Sequence, residues 1–135
     1  MRPGPAKANL FDRSRLKLRP LAERKHDFDI SRVRPLERVP VALPQIRDVA
    51  ARMRRAKKSG ASIVWMMGAH VLRSGVQRYL IDMMEHGYIS VVALNGGGMI
   101  HDFELSLIGA TTESVAQYIS EGQFGLWEET GRIND

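Results

Sequence analysis

Met67-Gly68-Ala69-His70-Val71-Leu72-Arg73-Ser74-Gly75 is the first of two strand-to-helix junctions that point to the architecture; the second is Ala93-Leu94-Asn95-Gly96-Gly97-Gly98-Met99-Ile100-His101-Asp102-Phe103-Glu104. Each junction follows a short apolar run of strand length, Ala61 to Met67 and Tyr88 to Leu94, and leads into helical periodicity. The helical stretch between the runs, about 71–86, is long enough to cross over a sheet. The pattern predicts a βαβ unit with two parallel strands.

Both junctions should therefore lie at the carboxyl ends of neighbouring strands, which is the edge where open α/β sheets bind ligands. Asn95-Gly96-Gly97-Gly98 comes after a strand and before a helix, so its backbone could approach an anionic group such as a pyrophosphate. The run does not follow the G-x-G-x-x-G pattern or that of a Walker loop. From spacing alone, a nucleotide loop and a tight turn without a ligand are equally good interpretations.

The remaining elements are placed by local signals. Residues 1–40 are rich in Pro, Arg and Lys without a sustained period, which indicates a basic extended arm with at most short helical turns. Residues 41–135 would form the folded part, beginning with a helix from Pro44 that ends before Gly60. A short helix is expected over 99–108, and Thr111 or Thr112 should cap the next one. Residues 121–135 receive no assignment, and only two strands are predicted.

The chain has 135 residues and no cysteine, so it has neither a disulfide nor a thiolate metal site. No apolar run approaches the length of a membrane span, and we expect a soluble, cytoplasmic protein. Residues 1–58 contain 17 Lys/Arg and 6 Asp/Glu, a net of +11, whereas residues 59–135 contain 3 and 9, a net of −6. Because no aromatic or glycine-rich nucleic-acid motif accompanies the basic segment, a solvated arm and helix face are favoured over nucleic-acid binding. No ligand spacing typical of a metal site is present.

Several sequence segments resemble segments of deoxyhypusine synthases and follow one another in the same order. The resemblance is closer still to the prokaryotic deoxyhypusine synthase-like proteins. The segments lie within about 63–131 and read Trp65-Met66-Met67-Gly68-Ala69-His70-Val71, Asn95-Gly96-Gly97-Gly98, Ile100-His101-Asp102-Phe103-Glu104 and Phe124-Gly125-Leu126-Trp127-Glu128-Glu129-Thr130. The resemblance covers the N-terminal half of that family. It implies an α/β, Rossmann-like parallel sheet flanked by helices, present as its first half.

The resemblance also implies NAD as cofactor. The family segments that contact NAD map onto both junctions. The cofactor-binding residues implied are Gly68, Ala69, His70, Val71, Leu72, Arg73, Asn95, Gly96 and Gly97. The family has threonine and alanine where this chain has Asn95 and Gly96, so contact through the backbone carries over better than contact through side chains.

A polyamine substrate such as spermidine is implied as well, with His101, Asp102 and Glu104 as substrate-binding residues. The family's adjacent glutamates are Ile100 and His101 here, and the aspartate that follows them is retained as Asp102. The implied activity is NAD-dependent transfer of an aminobutyl group from spermidine to a lysine or polyamine acceptor, in a homo-oligomer. The family's imine-forming lysine would lie beyond Asp135, so no catalytic residue is assigned. The alternative is a non-catalytic nucleotide-binding or assembly fragment.

Overall fold

The computed structural model describes residues 12–38, 40 and 43–135. It contains two compact units. The described part of the first consists of residues 12–24 and 115–135, and the second spans 25–114. Both loops singled out in the sequence belong to the second unit.

The predicted βαβ unit is present in the second unit. Strand β2 (Val64–Met67) pairs in parallel with β3 (Val91–Leu94), and the register aligns Met67, the last residue of β2, with Leu94, the last residue of β3. Parallel pairing brings both strand ends to one edge of the sheet, as the sequence predicted. Both strands are shorter than the apolar runs that predicted them.

The prediction that one helix over about 71–86 connects these strands is wrong. The crossover consists of α2 (Ala69–Arg73) and α3 (Gln77–Glu85), separated at Gly75. Gly75 has φ +77°, a left-handed conformation that no helix interior contains. Its carbonyl accepts a hydrogen bond from the Arg34 N–H at 2.8 Å, so a distant segment of chain stabilises the break.

The described residues cover only one face of the β2–β3 sheet. Trp65, Met67 and Val92 pack against a core of Leu72, Leu80 and Ile89 from the crossover and the start of the second apolar run. On the opposite face Val64 is 54% exposed, Met66 80% and Val91 51%. A run as apolar as Tyr88 to Leu94 predicts a strand that is covered on both faces, and that prediction is wrong here. The uncovered face is an apolar surface within the second unit.

Helix α4 (Gly96–Ile108) leaves the end of β3 and begins three residues earlier than predicted. The Asn95 side chain causes the early start, because its oxygen accepts a hydrogen bond from the Gly98 N–H at 3.0 Å and caps the helix. Gly109, in the left-handed conformation with φ 68°, ends the helix after Ile108, which is the last residue of the predicted range.

A second sheet was missed in the sequence. Strand β1 (His26–Asp29) pairs antiparallel with β4 (Ala110–Glu113), with Phe28 opposite Thr111. The prediction that Thr111 or Thr112 caps a helix is wrong, because both residues belong to β4 and are buried. The predicted basic arm thus includes a strand and short 3₁₀ turns such as Ile30–Arg32, while residues 1–11 and 39 of that arm lie outside the described residues.

Helix α1 (Pro44–Lys58) forms where its apolar spacing predicted it. None of its residues is buried, and Ile46 and Val49 of its apolar stripe are 50% and 54% exposed. Its last turn is held by Lys57, whose ammonium donates to the His86 carbonyl and lies 4.4 Å from the centre of the Tyr88 ring. The attachment is at the carboxyl end of the helix, and the amino-terminal part of its apolar stripe, at Ile46 and Val49, is exposed.

The first unit is built around Leu21, Tyr118 and Trp127, which are almost completely buried. Backbone hydrogen bonds join Arg19 to Leu126 and Glu128, with N–O distances of 3.1 and 3.0 Å. The helices of this unit are short. They are α5 (Val115–Ser120), α6 (Glu128–Gly131) and the 3₁₀ turns Arg13–Arg15, Leu21–Glu23 and Arg132–Asn134.

Glu129 links the two chain segments of this unit and makes its stability sensitive to acid. Its carboxylate accepts a hydrogen bond from the Leu21 N–H at 2.6 Å, which lowers the pKa of Glu129 below its usual value of 4.5. A lowered pKa stabilises the fold above the unfolded-state value, and this contribution is lost as the pH falls through the folded-state pKa. We expect Glu129→Gln to reduce the loss of thermal stability on acidification. A carboxyl NMR titration giving Glu129 a pKa of 4.5 or higher would contradict this.

Candidate functional site

The two junction loops lie side by side at the carboxyl edge of the parallel sheet. A Cβ placed on Gly68 would lie 3.9 Å from the Asn95 side-chain nitrogen, and one on Gly97 would lie 3.3 Å from the Cβ of Ala69. The loops are therefore in contact, with the start of α4 against the start of α2. The structure brings the two loops that contain the predicted cofactor residues side by side.

The three glycines of the second loop differ in how closely neighbouring atoms would approach a side chain at each position. Gly98 is buried, and a Cβ there would lie 3.4 Å from two side-chain atoms of Leu94. Gly97 is restricted by Ala69, so both glycines allow α4 to pack closely on its neighbours. Gly96 is exposed, and a Cβ on it would meet no atom within 4 Å. Packing therefore accounts for Gly97 and Gly98 but leaves Gly96 without a structural requirement.

The start of α4 presents unused hydrogen-bond donors. Asn95 satisfies the Gly98 N–H, and its own carbonyl accepts from Gly98 and Met99. The N–H groups of Gly96 and Gly97 form no hydrogen bond with any described residue. The amino end of a 13-residue helix carries a partial positive charge. Chemically, this surface suits an anionic group of a ligand.

The first loop contributes groups of two kinds. His70 and Arg73 are exposed on α2. Leu72 is only 4% exposed and belongs to the core, and Val71 packs against the same core. Gly68 caps α2 without a side-chain hydrogen bond, so His70 does not act as the helix cap.

The three predicted substrate residues are not brought to one surface. Glu104 is 1% exposed and accepts a hydrogen bond from the Thr111 hydroxyl at 2.7 Å. His101 Nδ1 lies 2.9 Å from the same hydroxyl. Glu104 and His101 therefore connect helix α4 to strand β4 through Thr111. Asp102 is exposed and lines a cavity between α3 and α4 together with Gln77. Sequence reasoning missed Thr111 and Gln77, because neither residue belongs to a motif.

Among the residues that the structure describes, no group of three or more His, Asp or Glu side chains is placed to hold a metal ion. Likewise, no helix in the described ranges combines the length and apolarity needed to cross a membrane.

No curated protein and no solved structure matches the chain. Residues 47–125 match the model of a family described as "Arginine dihydrolase ArgZ-like, C-terminal, Rossmann fold". The match confirms an α/β, Rossmann-like fold and overturns the resemblance to deoxyhypusine synthases. The expected aminobutyl transfer from spermidine is wrong, and the polyamine substrate depended on it. Because the match covers more than half of the chain, the protein belongs to the family of ArgZ-like arginine dihydrolase C-terminal Rossmann-fold domains.

Proposed function

We propose that this domain binds a dinucleotide, NAD, across the two loops at the carboxyl edge of β2 and β3. The pyrophosphate would lie against Gly96 and Gly97 at the start of α4. In parallel α/β sheets this edge, with its helix amino ends, is where nucleotide phosphates are bound. The description of its family suggests that the domain is part of a protein related to arginine dihydrolases.

The observation that carries this proposal is the contrast among the three glycines. Gly97 and Gly98 are accounted for by contacts of 3.3–3.4 Å with Ala69 and Leu94. Gly96 faces open space beside two N–H groups without a partner among the described residues. A residue without a side chain at such a point allows a phosphate to approach the backbone closely.

Two exposed side chains complete the proposed site. Arg73 supplies a guanidinium, which binds phosphate oxygens in a bidentate manner. His70 supplies ring nitrogens that can donate to or accept from a ribose or phosphate. The buried Leu72 would contribute shape only, since its side chain packs in the core.

Location and assembly are part of the same proposal. A cytoplasmic location is consistent with a sequence that contains no cysteine. Self-association is supported by the open apolar face of the β2–β3 sheet, where Met66 is 80% exposed. A sheet of only two parallel strands is rarely stable by itself and usually packs against further strands or helices on both faces.

Gly96→Val tests the dinucleotide site directly. Nothing within 4 Å opposes a side chain at 96, so the variant should fold while its branched side chain blocks the ligand. We expect the dissociation constant for NAD, measured by titration calorimetry, to rise at least about tenfold, which corresponds to about 1.4 kcal/mol.

Gly131→Val is the matched control, because a Cβ at 131 also meets nothing within 4 Å and the residue lies in the first unit. Its affinity for NAD should equal that of the unaltered chain. Equal affinity of a folded Gly96→Val variant would refute the site, as would a lack of NAD binding by the unaltered chain.

A further inference from the structure

The asparagine that caps α4 is followed directly by a glycine that no neighbouring atom crowds. Asn95 and Gly96 are both exposed, and a Cβ on Gly96 would meet no atom within 4 Å. Because Gly96 has no side chain, its backbone nitrogen can approach the Asn95 carboxamide without steric hindrance. This pair is therefore open to an intramolecular reaction, in which the backbone nitrogen attacks the side-chain carbonyl carbon.

The hydrogen bonds around Asn95 favour that attack. The Asn95 side-chain oxygen accepts from the Gly98 N–H at 3.0 Å, so a donor already points at the oxygen where negative charge develops during the attack. The Asn95 side-chain nitrogen and the Gly96 N–H form no hydrogen bond with any residue that the structure describes. Neither the nucleophile nor the leaving group is therefore held by a hydrogen bond in this part of the chain.

The backbone must rotate before the ring can close, and the glycines of the first turn of α4 make that rotation easier. Asn95 is extended, with ψ 169°, and its carbonyl accepts from the Gly98 and Met99 N–H groups. Turning the Gly96 nitrogen toward the carboxamide opens this turn. Glycine gains more backbone freedom on opening than any other residue, so Gly96 and Gly97 lower the free energy of the opened state.

We propose that Asn95 is a site of spontaneous deamidation, which changes the charge at the start of α4. The Gly96 nitrogen forms a bond to the side-chain carbonyl carbon of Asn95 and loses its proton, while the carboxamide nitrogen takes up a proton and leaves as ammonia. Water then opens the resulting five-membered succinimide to aspartate or isoaspartate. The net change is the gain of one water and the loss of one ammonia, without oxidation or reduction.

The product alters the proposed dinucleotide site, and this consequence rests on the proposed function. Aspartate caps a helix about as well as asparagine does, so the fold is retained. The new carboxylate lies beside the N–H groups of Gly96 and Gly97, against which the pyrophosphate would lie, and like charges repel. Deamidation should therefore lower the affinity for NAD, and bound NAD, by holding the Gly96 N–H, should slow deamidation.

Asn134 is the matched control within the chain. It is exposed, but it is followed by Asp135, and its side-chain nitrogen donates to the Gly131 carbonyl at 3.2 Å. The full chain is incubated in mildly alkaline buffer, and peptide mass spectrometry measures aspartate and isoaspartate at both positions. We expect deamidation at Asn95 to be at least about tenfold faster, which corresponds to about 1.4 kcal/mol in the barrier. Equal rates at the two positions would overturn the proposal.

Gly96→Ala tests the role of the residue after Asn95. A Cβ at 96 meets nothing within 4 Å, so the variant should fold, but its methyl group hinders the attack and stabilises the first helical turn. We expect deamidation at Asn95 to slow by at least about fivefold, which corresponds to about 1 kcal/mol. An unchanged rate in the folded variant would refute the proposal.

Neither rate measurement uses NAD, so the deamidation stands or falls apart from the dinucleotide site. Asn95→Asp tests the consequence, because it supplies the new charge directly. If the unaltered chain binds NAD, this variant should bind it about tenfold more weakly or worse. Unchanged affinity in a folded Asn95→Asp variant would overturn the effect on NAD, whereas a lack of binding by the unaltered chain would refute the dinucleotide site and leave the rates at Asn95 and Asn134 to decide the deamidation.

Discussion

Trp127→Ala should lower the free energy of unfolding of the first unit by about 3–5 kcal/mol, the range for removing a large aromatic side chain from a core. Trp127 is 1% exposed. Its ring meets Tyr118 edge to face, with 5.2 Å between ring centres and an interplanar angle of 88°. The Arg24 guanidinium lies 5.6 Å from the centre of the same ring. Removing the ring loses burial, an aromatic pair and a cation–π contact together.

The loss is expected to be large because the buried cluster of this unit consists of Leu21, Tyr118 and Trp127 alone among its described residues. Urea titration followed by tyrosine fluorescence and circular dichroism measures the effect. Trp127→Phe should cost less, since an aromatic ring remains against Tyr118. Phe124→Ala is the control in the same unit, because Phe124 is 46% exposed and should change stability by less than about 1 kcal/mol. Equal effects at 124 and 127 would disprove this account of the core.

Gly75→Ala should destabilise the second unit by about 2–5 kcal/mol. The residue has φ +77°, which costs any residue with a Cβ roughly 1–2 kcal/mol. A Cβ here would also lie 2.5 Å from the carbonyl oxygen of Arg32, a backbone atom that cannot rotate away. The Arg34 N–H donates to the Gly75 carbonyl, so the opposing segment is bound at the site of the clash. Relieving the overlap adds a further cost of about 1–3 kcal/mol.

Gly60→Ala separates the cost of the left-handed backbone conformation from the cost of the contact with Arg32. Gly60 has φ +72°, nearly the same conformation, but a Cβ on it meets nothing within 4 Å. Chemical denaturation of both variants should show a loss at Gly60 that reflects conformation alone and a clearly larger loss at Gly75. If the two losses agree within about 0.5 kcal/mol, the contact with Arg32 has no energetic role.

The local sequence was sufficient to predict the central βαβ unit. Apolar runs ending at Met67 and Leu94, followed by glycine-containing loops, predict parallel strands, because each signal depends only on neighbouring residues. Helix α1 and the end of α4 at Gly109 follow from similarly local rules. The adjacency of the two loops then results from parallel pairing. The Rossmann-like fold, which the resemblance implied, was predicted correctly.

The same local signals misled the assignment of the family. Part of the segment at Asn95 that resembles deoxyhypusine synthases is set by packing at the junction. Gly97 and Gly98, for example, are needed for α4 to approach Ala69 and Leu94. Residues required by packing do not distinguish one Rossmann-like family from another, and so the implied polyamine chemistry did not hold.

The sequence by itself determined the elements whose signals are contiguous, and only the tertiary structure decided those that depend on distant partners. β4 is a strand because β1, more than 80 residues earlier, supplies its hydrogen bonds, which outweigh the capping preference of Thr111. The crossover helix breaks at Gly75 because the segment around Arg34 binds there. Glu104 is removed from solvent by its bond to Thr111, whereas Asp102, two residues earlier on α4, lies on the cavity with Gln77. Helical position alone cannot predict that difference, because it arises from which neighbour each side of the helix meets.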